Sequence, residues 1–284
     1  MKRLLVTLLA LVCCQAWAQT ARPADAPRAS TLVKVADGRL LAPDIARIVN
    51  RGKLIVSMLE TDNPPFFGNQ NGTLVGTDVE LAKMIARELG VEVQFDRSYK
   101  TFDSVSEAVA LGNADVAISR LGRTLKRAQT VHFSNTYIKL GQAFLINRIR
   151  FAKLAGDRPM EQVIRDFDGE LGVLAGSSWE EFGRRNFPKA KQVPFASWHL
   201  AVEAAKRGDV VAVYRDELEV RQLLKKEPGL ALTLRTVTFS DLDSPLSVIV
   251  GVGDPTLLSF VNELIAQRAV QPTATSVLKS IPVK

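Results

Sequence analysis

Arg127, Ser177, Ser178 and Asp216 lie far apart in the chain, but they are the residue types that seize a small ion. Arg127 sits in the stretch SRLGRTLKRAQTVHFSNTY, from Ser119 to Tyr137. A run of strand character over 114–120 gives way there to a turn carrying Thr124 and Arg127. This layout predicts a guanidinium at the end of a parallel strand, beside a helix N-terminus. Backbone N–H groups and arginine both favour an anion at such a place, and the planar fork fits a carboxylate in bidentate fashion. On that fragment alone, a surface charge on an ordinary helix explains Arg127 as well. Gly176-Ser177-Ser178 follows another strand pattern and opens another helix, so two hydroxyls meet a second helix N-terminus. Simple N-capping accounts for the same serines. Asp216 follows a strand over 210–214, at the C-terminal end where open α/β sheets gather ligand groups. It also suits the N-cap of the helix after it.

Other chemistries find less support. His132 and His199 are the chain's two histidines, and nothing is spaced around them as metal ligands. Cys13 and Cys14 are the two cysteines, and both fall in an N-terminal segment of signal-peptide type. Met1-Lys2-Arg3, the apolar run Leu4 to Cys14 and the A-x-A site Ala16-Trp17-Ala18 predict a secretory signal over residues 1–18, cut before Gln19. Leu11-Val12-Cys13 lacks the small residue expected beside a lipidated Cys14. The expected mature chain has no thiol, hence no disulfide and no thiolate metal site. Neither a metal nor a cofactor is expected. The expected location is the periplasm. Cutting removes Lys2 and Arg3 and lowers the formal charge from +7 to +5. The basic residues are scattered and aromatics make up 7% of the chain, which argues against nucleic acid. With 284 residues, 46% of them hydrophobic, the chain is long enough for two lobes.

The elements that must position these residues alternate between strand and helix. Residues 19–30 read as a flexible lead-in rich in Ala, Pro and Arg. Ala42-Pro43-Asp44 opens a short helix that Gly52 stops. Lys53 to Leu59 is a strand, followed by a Pro64-Pro65 loop. Thr77 to Leu89 is a helix, with Thr77 and Glu80 as a capping box and Leu81, Met84, Ile85 and Leu89 as its apolar face. Strands over 91–95, 114–120, 141–146, 171–175, 192–195, 210–214, 230–239 and 246–252 are expected. Helices are expected over 103–111, 157–167, from Trp179, over 198–206, from Asp216 to about 225, and over 255–269. This rhythm predicts an α/β layered sheet rather than a sandwich or a bundle.

Several segments together resemble one family. They are Gly52-Lys53-Leu54-Ile55-Val56, Pro64-Pro65-Phe66, Gly76-Thr77-Asp78-Val79-Glu80-Leu81-Ala82, and Gly112-Asn113-Ala114-Asp115-Val116. Thr124-Leu125-Lys126-Arg127, Phe133-Ser134-Asn135-Thr136-Tyr137, the loop from Gly172 to Glu180, and Ala212-Val213-Tyr214-Arg215-Asp216 continue the series. The chain from about Gly52 to Ala269 is similar to family 3 solute-binding proteins, the periplasmic receptors of amino acid ABC importers. The resemblance implies a two-lobed type II periplasmic binding protein fold, in which two hinge strands join the lobes. It implies a first lobe over 48–138 and 246–284, a second lobe over 139–245, and a lead-in over 19–47.

The resemblance also implies roles. Arg127 would grip a ligand α-carboxylate, with Ser178 and Ser177 adding to that grip from the other lobe. Asp216 would hold an α-ammonium, and Glu60, Asn63 and Phe102 would line the side-chain pocket. Arg120 and Gly122 depart from the family, which often has small or hydroxyl residues there. If Arg120 points inward, a second guanidinium would favour a ligand with an extra anionic group. The expected function is capture of a small polar carboxylate, in the first place an amino acid, by a monomer that delivers it to an ABC permease. The alternatives are an enzyme like the cyclohexadienyl dehydratases, with Glu180 as a general acid, or a sensory module on the same scaffold. Beyond Glu180 no acid–base pair stands out, so an enzyme is not expected.

Overall fold

The computed structural model describes residues 31–268. The expected signal segment over 1–18 and the expected lead-in over 19–30 lie outside the described residues. The elements in chain order begin with a small hairpin, β1 (Val33–Lys34) and β2 (Leu40–Leu41), then α1 (Pro43–Arg51) and β3 (Lys53–Leu59). A second hairpin, β4 (Gly68–Gln70) and β5 (Thr73–Val75), leads to α2 (Thr77–Leu89), β6 (Glu92–Tyr99), α3 (Phe102–Ala110) and β7 (Val116–Ala117). Next come α4 (Leu125–Ala128), the long β8 (Val131–Asn147), α5 (Arg148–Ala155) and α6 (Met160–Arg165). They are followed by β9 (Glu170–Leu174), α7 (Ser178–Asn186), β10 (Lys191–Phe195) and α8 (Trp198–Arg207). The chain closes with β11 (Ala212–Asp216), α9 (Glu217–Lys226), a 3-10 turn (Pro228–Leu232), the long β12 (Leu234–Gly251) and α10 (Pro255–Ala266).

The strands form one continuous ladder in the order β10-β9-β11-β8-β12-β7-β3-β6. β8 and β12 run antiparallel through its middle, from Leu234 opposite Asn147 to Gly251 opposite Val131. The later half of β8 borders β11, with Asp216 opposite Gln142. The later half of β12 borders β7, with Ile249 opposite Ala117. Each half of the ladder is thus a mixed sheet of its own, and two strands pass between them. The register shifts between Phe239 and Asp243, so the pairing is looser at the crossing. This is a two-lobed α/β fold.

The sequence reading breaks these two strands where the chain does not. It expects separate strands over 141–146, 230–239 and 246–252. The pairing partner explains the difference: β8 and β12 run beside each other through both lobes, and polar positions such as Lys139 and Asp243 keep their places in the ladder. The expected capping box at Thr77 is also not formed. Gly76 is the N-cap, Glu80 N–H donates to the Gly76 carbonyl, and Thr77 Oγ1 has no hydrogen-bond partner among the described residues. Thr77 is already inside the helix, so its side chain cannot reach back. Gly76 has φ 132°, and a Cβ there would lie 2.2 Å from the Phe66 carbonyl oxygen, so a side chain has no place at this turn.

Apolar side chains divide along the same line. The first lobe buries Leu54, Val56 and Met58 of β3 against Leu81 and Ile85 of α2 and Val261 of α10. In the second lobe the strand alternation sorts side chains to two faces. Phe144, Ile146 and Tyr214 pack on one face with Phe182 and Phe187, while Ala143, Leu145 and Val213 pack on the other against Ala201 and Ala205 of α8.

Candidate functional site

The site forms where the ends of β7 and β11 face each other across the crossing strands. β7 is shorter than expected, and the chain leaves it through Arg120 at φ 53°, a left-handed conformation that costs a non-glycine residue about 1–2 kcal/mol. Its backbone N–H donates to Asp78 Oδ2 at 2.6 Å. Asp78 is completely buried near the start of α2, and Tyr137 Oη donates to its Oδ1 at 3.0 Å. Burial pushes the Asp78 carboxyl up to about 7, against the pull of those two donors and of the Arg120 charge.

The Arg120 side chain points inward. Nη1 donates to Asn63 Oδ1 at 2.6 Å and to Glu219 Oε2 at 2.7 Å, and Nη2 lies against Asp216 Oδ1. The guanidinium also sits 4.8 Å from the Phe66 ring centre. A cation of the first lobe is therefore bound to two carboxylates of the second. Burial opposes its charge, but Asp216 and Glu219 hold its pKa above the ordinary value. Burial likewise opposes ionisation of Glu219, and Arg120 with Arg215 holds that carboxyl below its usual range. Asp216 caps α9 by accepting from Glu219 N–H at 2.9 Å, so the capping role and the site role coexist.

Arg127 is buried one turn beyond Thr124, whose Oγ1 accepts from its backbone N–H at 3.2 Å. Nε and Nη2 donate to Asp103 Oδ1 at 3.1 and 2.8 Å, and Nη1 donates to the Gly122 carbonyl at 2.8 Å. Burial lowers the Arg127 pKa, although Asp103 works the other way. Opposite lies the start of α7. Ser177 Oγ donates to the Leu174 carbonyl at 2.5 Å and accepts from Trp179 N–H at 3.3 Å. Ser178 faces Gly122 so closely that a Cβ on Gly122 would lie 2.7 Å from Ser178 Oγ. Glycine at 122 is what lets the lobes meet here.

Two further contacts join the lobes. Glu181 accepts from Leu125 N–H at 2.7 Å and from Lys126 N–H at 3.1 Å. Asp103 N–H donates to the Gly176 carbonyl at 2.9 Å. Phe102, Arg120, Gly122, Arg127, Ser177, Ser178 and Asp216 all line one enclosed space of about 20 Å³. That is room for about one water molecule. Asn63 reaches this cluster through Arg120. Glu60 stands outside it: the residue is exposed, and its backbone bonds with Tyr99 and Arg97. A larger hollow of about 620 Å³ opens at the outer edge of β6, between Lys53, Leu74, Phe95 and Arg97. It lacks the buried charge network.

Sequence reasoning missed Arg215, Glu219, Asp103 and Asp78. Arg215 could have been found, because it is an arginine inside the apolar strand Ala212–Asp216, all of whose residues are buried. Glu219 lies one turn after Asp216, on the face that Asp216 caps.

The sequence and the fold have counterparts among known proteins. Residues 54–279 match the model of the bacterial extracellular solute-binding proteins, family 3. The chain is 25% identical over 208 residues to ABC transporter arginine-binding protein 1 of Escherichia coli, covering 72% of this chain and 80% of that one. It is 27% identical over 223 residues to the L-cystine-binding protein TcyJ of Escherichia coli, covering 78% and 79%. Among solved structures, ligand-bound ArgBP from T. maritima superposes with a TM-score of 0.63 at 29% identity, over 82% of this chain and 96% of that one. An ancestral amino acid-binding protein, described as a precursor of cyclohexadienyl dehydratase, superposes with a TM-score of 0.64 at 28% identity, over 83% and 97%. The relatives are mostly binding proteins rather than enzymes. Matched along most of its length and folded as two lobes around a buried charged cleft, the chain belongs to the family 3 bacterial extracellular solute-binding proteins.

Proposed function

We propose that this protein captures a small polar carboxylate, in the first place an amino acid, between its lobes in the periplasm and presents it to an ABC permease. The observation that carries this reading is the burial of Arg120, Arg127, Ser178 and Asp216 around one space to which both lobes contribute. A zwitterion needs donors at one end and an acceptor at the other. Arg127, with Ser178 and Ser177, supplies the donors for a carboxylate. Asp216, which now faces Arg120 and Arg215, supplies the acceptor for an ammonium, which would take the place of one of those guanidiniums as the lobes part. Phe102 walls the space, Gly122 gives a carbonyl, and Asn63 steadies Arg120. Glu60 belongs to the rim in this reading.

The enclosed space is smaller than an amino acid, so entry requires the lobes to part. The first lobe, 48–138 and 246–284, and the second, 139–245, would swing about β8 and β12 near their loosened register. A charge-assisted hydrogen bond contributes about 1.5–3 kcal/mol, and micromolar affinity needs roughly 8 kcal/mol. A few such bonds on a ligand touched from both lobes are enough to shift the population to the closed form. The relatives that bind arginine and cystine support an amino acid as ligand class.

An enzymatic reading would ask Glu180 to donate a proton. Its Oε2 accepts from Gly176 N–H at 3.0 Å, a bond that orders its own loop. The relative described as a dehydratase precursor is itself an amino acid-binding protein. Both facts favour the binder. Thermal-shift screening with the common amino acids and small carboxylates tests it, since any ligand of the native state raises the melting temperature by mass action. Stabilisation by a carboxylate is the expected result; no response from any of them would sink the reading.

A further inference from the structure

Arg215 has more donors than partners. It is 3% exposed, in the penultimate position of β11. Its Nε lies 3.5 Å from Asp216 Oδ2 and its Nη2 lies 3.7 Å from Glu219 Oε2. Those are ion-pair distances rather than good hydrogen bonds. Among the described residues, Nε and Nη1 have no hydrogen-bond partner. Three rings surround the group, with their centres 6.0 Å away for Phe102, 6.0 Å for Trp179 and 5.8 Å for Trp198. The ring faces offset part of the desolvation of a cation, but they do not satisfy its N–H groups. Buried donors left unmet are rare in native proteins and call for an explanation. Arg215 lines the enclosed space, so its side chain is part of the wall of the cleft.

The charge balance points the same way. Arg120, Arg127 and Arg215 all reach this space. The neighbouring carboxylates are already engaged. Asp216 and Glu219 hold Arg120, and Asp103 holds Arg127 and Lys126. An entering cationic side chain would meet three guanidiniums and no carboxylate without a cation of its own. An entering carboxylate would meet donors with nothing to bind.

We propose that Arg215 receives a second anionic group of the ligand, so that the cleft selects molecules with two carboxylates over neutral or cationic amino acids. Acidic amino acids and plain dicarboxylates share this chemistry. The proposal rests on the reading of this cleft as the ligand site. It separates the chain from the relatives that bind arginine, because Arg120, Arg127 and Arg215 all line the enclosed space and would repel a cationic side chain.

Isothermal titration of the mature protein with L-glutamate, L-glutamine, L-aspartate, L-asparagine, succinate and L-arginine tests it. The wild type is expected to bind an acidic member at least tenfold more tightly than its amide, and to bind L-arginine least. Arg215→Gln is expected to lower affinity for the acid at least tenfold and for the amide less than threefold, so that the ratio collapses. Arg215→Lys is expected to keep the preference for the acid. If succinate equals the acidic amino acids, the cleft reads two carboxylates alone; if succinate is weaker, it reads the ammonium too. A structural role for Arg215 would lower the melting temperature of the ligand-free variant without changing the ratio, and that result overturns the proposal. So does tight binding of L-arginine or an amide by the wild type, a result that leaves the binding function intact. Should Arg215→Gln fail to fold, the wild-type ratio still decides. Silence from every amino acid and carboxylate would overturn both readings.

Discussion

Asp78 is the residue through which pH should reach this fold. In the unfolded chain its carboxyl releases a proton near 3.8, and in the folded chain near 7. The native state therefore holds the extra proton across that window. Its contribution is fully present below about pH 4 and is lost as pH rises to about 7, a change of a few kcal/mol at most. Asp103 runs the other way: Lys126 and Arg127 overcome burial and hold its carboxyl below the usual value, so its contribution is lost as the solution turns acid. Asp78→Asn can keep both local bonds, with its carbonyl accepting from Arg120 N–H and its amide donating to Tyr137. Melting curves from pH 4 to 8 should show wild-type stability falling relative to Asp78→Asn; parallel curves would refute the raised carboxyl. Arg127→Ala should weaken carboxylate binding at least a hundredfold by calorimetry. The same change leaves Asp103 with Lys126 alone and should cost about 1–3 kcal/mol of stability. Unaltered affinity would remove Arg127 from the site. The places of Arg127, Ser177 and Asp216 at helix starts and strand ends were legible in the sequence, because caps and strand ends leave local signatures. Glu219 and Asp103 were not, because Arg120 and Arg127, which they hold, come from distant segments.

At the scale of elements, the start of α2 decides how Asp78 is held. Asp78 N–H donates to the Phe66 carbonyl at 2.9 Å, and Gly76 passes against that same carbonyl. Gly76→Ala would force both a clash and an unfavourable φ, at a cost of about 3 kcal/mol or more. Chemical denaturation should show a lower midpoint with an unchanged slope; an unchanged midpoint would mean that the turn relaxes freely. Most elements could be read from their ends. Gly52 closes α1 and Gly208 closes α8 in the left-handed conformation, and Ser197 caps α8. The crossing strands could not, since β8 and β12 are defined by each other rather than by local pattern. α5 was missed for a related reason: Asn147 ends β8 and caps α5 at once, so no turn residues separate them.

For the whole molecule, the lobes are held by few bonds, and those bonds are specific. Glu181 ties α7 to the first turn of α4. Glu181→Ala should raise the open fraction of the ligand-free protein up to about tenfold, which corresponds to about 1.4 kcal/mol. Energy transfer between dyes on the two lobes would measure it; an unchanged distribution would show that the Arg120 ion pairs and the Asp103–Gly176 bond keep the lobes together without Glu181. Ligand binding between the lobes, on Arg127 and Asp216, is the proposal on which the others depend. The most direct test is a crystal structure with the carboxylate that gives the largest thermal shift. The expected result is a ligand carboxylate within hydrogen-bond distance of Arg127 and Ser178, with Asp216 on the ammonium where there is one. A ligand found instead in the hollow beside β6, with Arg127 still held by Asp103 and Gly122 alone, would contradict it.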